Sequence, residues 1–165
     1  MKNFGPFDSY ADALKAACPR ILSKPNATVG HLKDSNPELA HRVATEYCAW
    51  LYYTPEHKYE MSMLTDRSAP GDLVTGTKTC LLPTFVNDAR YAPGDLKYIF
   101  ALHNHPFGMP LSTMDRLLIE EMASIHDWEL KTKNGTVSSG SSMTEHTEST
   151  SHKRTPARIH IEGAS

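Results

Sequence analysis

At 165 residues, with 39% hydrophobic and 22% charged side chains, the chain has the make-up of one domain able to bury a core without cross-links. Nineteen acidic residues against seventeen basic ones give a formal net charge of -2, which excludes the basic footprint of a dedicated nucleic-acid binder. No stretch approaches the ~18 apolar residues of a membrane span, and Met1-Lys2-Asn3-Phe4-Gly5-Pro6 lacks the ~7–15-residue apolar run of a signal peptide, so a cytoplasmic location is expected, with export as an effector left open.

Ser9 stands ahead of Ala11, Leu14, Ala17 and Cys18, which recur at helical spacing before Pro19; a short amphipathic helix over about 9–18, ended by the proline, is predicted. Turn formers make 23–36 a connection, and Pro37-Glu38 opens a second short helix. The aromatic run Glu46-Tyr47-Cys48-Ala49-Trp50-Leu51-Tyr52-Tyr53 reads as a strand that stops at Thr54-Pro55-Glu56-His57, and Lys58 to Leu64 alternates as a second one. The stretch from Leu73 to Leu82, bounded by Pro70-Gly71 and Pro83, suits either strand or irregular loop. After the turn at Pro93-Gly94-Asp95, Lys97 to His103 forms the strongest strand signal, ending in His103-Asn104-His105-Pro106-Phe107-Gly108. Ser112 or Thr113 then caps a helix whose Leu117, Leu118, Met122 and Ile125 share a face, and Trp128 to Thr132 returns to strand before Asn134-Gly135.

From about Ser138 the composition becomes Ser, Thr and Gly, too poor in apolar groups to offset the entropy of ordering. Residues 138–165 are therefore expected to be a disordered tail behind a domain over 1–137, although the alternation of Arg158-Ile159-His160-Ile161-Glu162 would suit an edge strand. Cys18, Cys48 and Cys80 are odd in number and form no CxxC pair, so they are read as small buried hydrophobes rather than as a disulfide framework or thiolate zinc site.

His103 and His105 lie two apart at the end of a strand, where a period of two sends both imidazoles to one face. Asp115, in the first turn of the following helix, can fold back toward them. Two histidines, one carboxylate and an open fourth position are the donor set of a catalytic Zn²⁺ site, whose water is acidified to a pKa of ~7. Glu46, at the head of the aromatic strand, is the candidate general base if that strand neighbours the histidine strand. Singly each feature has a plainer reading: H-x-H in a strand is a weak signal, Ser112 and Asp115 form an S-x-x-D capping box, and Glu46 could be a solvated strand terminus. Their combination is more specific. His31, His41, His57, His126, His146, His152 and His160 have no ligand-like spacing and are assigned to surface or turn positions.

His103-Asn104-His105-Pro106 with Ser112 and Asp115 resembles the signature of the JAMM (JAB/MPN) zinc metalloproteases, and the wording H-N-H-P-x-G is similar to their bacterial JAB-like and RadC-like branches. Glu46-Tyr47-Cys48-Ala49-Trp50-Leu51-Tyr52 resembles the family's upstream strand, whose glutamate is the acid/base. The resemblance covers about residues 7–137. It implies an α/β fold of three α-β-α layers, JAB/MPN-like (cytidine-deaminase-like), with a curved central mixed sheet. It further implies zinc held by His103, His105 and Asp115, water activated by Glu46, and Ser112 hydrogen-bonding the developing oxyanion or the metal water. The interval between Pro106 and Ser112 is one residue shorter than the family's usual spacing, and Cys48-Ala49 stands where a glycine often follows the glutamate. The expected activity is hydrolysis of an amide bond in a protein or peptide substrate, a ubiquitin-like conjugate among the candidates, with no membrane or nucleic-acid partner. The competing readings are a non-catalytic JAB-like interaction module and a RadC-like role in DNA processing or a bacterial conflict or toxin system. The consecutive His-Asn-His is not the dispersed constellation of an HNH nuclease.

Overall fold

The computed structural model describes residues 4–68, 79–108, 113–126, 129–145 and 158–164, with the side chains of 114–116, 118, 119, 123, 138–145 and 158–164 outside that description. In chain order the elements are β1 (Phe4–Phe7), α1 (Tyr10–Leu22), α2 (Gly30–Lys33), α3 (Pro37–Val43), β2 (Cys48–Tyr53), β3 (Tyr59–Met61), a 3₁₀ turn (Pro93–Asp95), β4 (Lys97–His105), α4 (Thr113–His126), β5 (Glu129–Thr132), β6 (Gly135–Glu145) and β7 (Arg158–Ala164). The fold is mixed α/β: few helices around a sheet ordered β1-β3-β2-β4-β7-β6-β5. Every pairing among the described strands is antiparallel, which corrects the expectation of a mixed sheet. Among the described residues no helix is long and apolar enough to cross a membrane.

The Ser9 Oγ accepts the Asp12 N–H at 3.1 Å and opens α1. Its inner stripe, Ala13, Leu14, Ala17 and Ile21, is buried. The helix runs four residues past the predicted end, with Pro19 inside it. Ile21 is fully buried and the Ser23 N–H reaches the Pro19 carbonyl at 2.9 Å, so apolar burial and a hydrogen bond beyond the proline outweigh the donor it removes. The second predicted helix is present as α3, where Asn36 accepts the Leu39 N–H at 3.0 Å and Pro37 takes the first helical position.

Alternation along β2 divides its side chains between two clusters. Ala49, Leu51 and Tyr53 join the inner stripe of α1 with Phe100 and Leu102, while Trp50 and Tyr52 join Val86, Leu96, Tyr98 and Ala101, bordered by Met122 of α4. A third cluster, Val29, Ala40 and Ala44 with Phe107 against them, packs α2 and α3 beside the turn after β4. Residues 79–82 are irregular, and the part of that ambiguous stretch from Leu73 to Lys78 lies outside the described residues.

Two pairings join distant segments in this frame. Residues 138–145 supply most of β6, and residues 158–164 form β7, which lies between β4 and β6 rather than at an edge. It pairs with β4 from Phe100↔Gly163 to His105↔Arg158; a long apolar strand such as β4 would otherwise present an open row of backbone donors and acceptors, a demand that local Ser/Thr composition does not reveal. Cys48 and Cys80 form a disulfide with a Cα–Cα distance of 5.9 Å. Cys48 pairs with Thr65 by both backbone hydrogen bonds, and the Leu81 N–H reaches the Arg67 carbonyl at 2.7 Å, which carries Cys80 to Cys48 across 32 residues of sequence.

Candidate metal centre

The expected strand ending at His103 continues as β4 through His105. The alternation of the strand sends His103 and His105 to one face and Asn104 to the other. The two imidazoles are buried, stacked with ring centroids 4.7 Å apart and planes 19° apart, and their Nε2 atoms stand 2.7 Å from each other. At that separation two lone pairs repel unless a proton or a cation serves them. Two converging imidazole nitrogens supply two of the three protein donors that a catalytic zinc site takes.

The same face carries α4. His103 follows Ala101 by two residues, and Ala101 belongs to the cluster that Met122 of α4 borders. Asp115 is the third residue of this helix, so the element that supplies the expected carboxylate packs on the sheet face of the histidines. Its side chain lies outside the described residues, as does Ser112 entirely.

Glu46 is half-buried and stands just before β2. Strands β2 and β4 are direct neighbours, with Cys48 paired to His103, and the Asn104 N–H reaches the Tyr47 carbonyl at 3.4 Å. Continued by two residues, that register sets Glu46 opposite His105. The backbone thus brings Glu46 and both histidines to one end of the strand pair, although no group of three or more His, Cys, Asp or Glu side chains able to hold a metal stands among the described residues.

No family model, curated protein or solved structure matches this chain.

Several features beside the site carried no functional assignment at the sequence level. Tyr52 donates from its hydroxyl toward Glu60 at 3.2 Å and Asp88 at 3.1 Å, and the Arg90 guanidinium forks across the same two carboxylates. Arg90 holds the Asp88 carboxyl well below the usual carboxylate range, while burial, followed by the two carboxylates, pushes the Tyr52 phenol up. This cluster fastens residues 84–91 to the sheet. On the same side His126, assigned from the sequence to a surface or turn position, stacks on Tyr98 with centroids 4.1 Å apart, meets Trp50 and Phe85 edge-on, and has its Nε2 2.8 Å from the Thr84 carbonyl. His160, given no role in the sequence reading, is the β7 residue paired with His103. The strand alternation of 158–162 was the only local signal for that placement.

A groove of about 620 Å³ opens between 62–67 and 81–87, lined by Met63, Leu64, Arg67, Leu81 and Phe85 among others. It borders the Cys48–Cys80 bridge through Thr65, the backbone partner of Cys48. Met63 and Phe85 are about half exposed there, giving the groove an apolar wall with one cationic side chain.

Proposed function

We propose that this chain is a zinc-dependent peptidase or isopeptidase of the JAMM type, built as three α-β-α layers. The observation that carries the reading is the buried His103–His105 pair, whose Nε2 atoms converge at 2.7 Å at the end of a central strand. His103 and His105 would hold the metal through those atoms, with the Asp115 carboxylate as third donor. Zinc, when bound, supplies a Lewis acid and an acidified water.

The remaining chemistry falls to the chain. The Glu46 carboxylate takes a proton from the attacking water and returns it to the leaving amine nitrogen, which makes the amine a competent leaving group. The Ser112 hydroxyl donates to the oxygen that gains charge as the scissile carbonyl becomes tetrahedral. The groove between 62–67 and 81–87 has the volume to receive part of an extended polypeptide, in keeping with a protein or peptide substrate, including a ubiquitin-like conjugate. The Cys48–Cys80 bridge supports export over the reducing cytoplasm, because such bonds persist in oxidising compartments.

The test is metal content of the purified chain by elemental mass spectrometry, beside His103→Ala and Asp115→Ala. The expected result is near one zinc per chain, lost in both variants. Glu46→Gln then keeps the zinc and lowers hydrolysis of peptide and isopeptide substrates by about 10²–10⁴-fold. A wild-type chain that takes up no zinc on reconstitution refutes the hydrolase and leaves the non-catalytic interaction module.

A further inference from the structure

We propose that Asn104, the residue between the two histidines, is a positioning residue that clamps the backbone on both sides of Glu46. Its consequence for turnover rests on the hydrolase reading above, whereas the clamp itself does not.

Asn104 is fully buried. A side-chain amide has two N–H donors and one carbonyl acceptor, and here all three groups are used. Nδ2 donates to the Ala27 carbonyl at 2.8 Å and to the Thr45 carbonyl at 3.1 Å, and Oδ1 accepts the Tyr47 N–H at 2.7 Å. The Thr45 carbonyl belongs to the peptide unit before Glu46 and the Tyr47 N–H to the unit after it. One side chain therefore pins both peptide planes that meet at the Glu46 Cα.

The segment needs such a support. Residues 44–47 form no regular structure, so no continuous ladder fixes Glu46 as one fixes Trp50 or Leu51. The chain leading into it is tied in turn, since the Thr45 N–H reaches the Asn26 carbonyl at 3.1 Å and the Val29 N–H reaches the Pro106 carbonyl at 3.1 Å. Because His103 and His105 project from one face of β4 and Asn104 from the other, the imidazoles and the support of Glu46 share three consecutive residues of one strand. Any shift of that strand moves the donor pair and the base together. Such rigid coupling matters because a misplacement of about 1 Å can cost on the order of 10²-fold in rate.

Serine at this position is too short to bridge the three groups. Aspartate keeps the Oδ1 acceptor that the Tyr47 N–H uses and gives up the two N–H donors of the amide. The full chain without added metal is first examined by residue-resolved hydrogen exchange. The Tyr47 amide should be protected in the wild type to the level of the β2 amides, although it lies outside β2. Asn104→Ser should lower that protection at least tenfold while Trp50 and Leu51 keep theirs, and Asn104→Asp should retain most of it. An unprotected wild-type Tyr47 amide overturns the clamp without recourse to any variant, as does a loss spread evenly through β2.

With zinc present, Asn104→Ser should keep its metal stoichiometry, hold KM within about threefold and lose about 10–100-fold in kcat, with Asn104→Asp between it and the wild type. In a Glu46→Gln background the same substitution should add less than about twofold, because a residue that acts through Glu46 has nothing left to position. Independent, multiplying losses would overturn the positioning role. A wild-type chain without zinc or hydrolysis would refute the hydrolase reading while the exchange data still decided the clamp.

Discussion

Removing the Cys48–Cys80 bridge should weaken the fold by a margin that its sequence separation sets. The two cysteines close a loop of 32 residues, and the chain-entropy relation for a loop of that length gives about 12 cal/mol/K, or about 3.7 kcal/mol at 25 °C. Against a total stability of about 5–15 kcal/mol for such a domain, that is a large share. Cys80→Ser is the better substitution, since Cys48 is buried in the sheet and a hydroxyl there would add a desolvation cost of its own. The assay is urea unfolding of protein purified without reductant, with and without a phosphine, next to the Cys80→Ser chain. Thiol titration in denaturant should find one reactive thiol, from Cys18, before reduction and three after it. The oxidised protein should exceed both the reduced and the substituted forms by about 3–4 kcal/mol. Three thiols in protein that has never met reductant, or coincident unfolding midpoints, would refute the reasoning.

Arg90→Met should destabilise by about 2–3 kcal/mol, below the usual cost of breaking a buried pair because the guanidinium is itself half exposed. Asp88 is held below its ordinary value of 3.8 by this arginine, so its stabilisation is complete above about pH 5 and declines as pH falls below 3.8. Urea midpoints should thus separate wild type from Arg90→Met at neutral pH and converge toward pH 2; a gap independent of pH would exclude the Asp88 ion pair as its source. Ile21→Ala should cost about 2–5 kcal/mol, because the side chain is fully buried past Pro19. A loss under about 1 kcal/mol in the same assay would mean that the last turn of α1 does not pack.

The parts of the fold that local chemistry determines were readable in advance. Ser9 and the Ala11–Leu14–Ala17 spacing announce α1, Asn36 and Pro37 announce α3, and the apolar run before His103 announces β4. Its alternation also foretold that both imidazoles share a face. What escaped depends on contacts between distant segments. Pro19 is a helix terminator by local rule, and only the pocket that receives Ile21 carries the helix beyond it. Three unpaired-looking cysteines give no hint that a bridge forms, since the hydrogen bonds of Thr65 and Arg67 decide which segments meet. The serine-rich run conceals a strand pairing whose demand comes from β4. Asn104 was quoted within the motif without a role; a buried amide between two strand residues of the opposite face has to find three partners, and that requirement was the signal available.

The position of β7 bears on how the chain is made. Strand β4 ends at His105 and its second neighbour begins at Arg158, so during synthesis the histidine strand emerges with β2 already beside it and its other edge open. At about 5–20 residues per second, the ribosome needs roughly 3–10 s to supply the missing partner. For that interval the nine residues of β4 have one of their two sheet neighbours, so pairing on both sides of the histidine strand waits on residues 158–164.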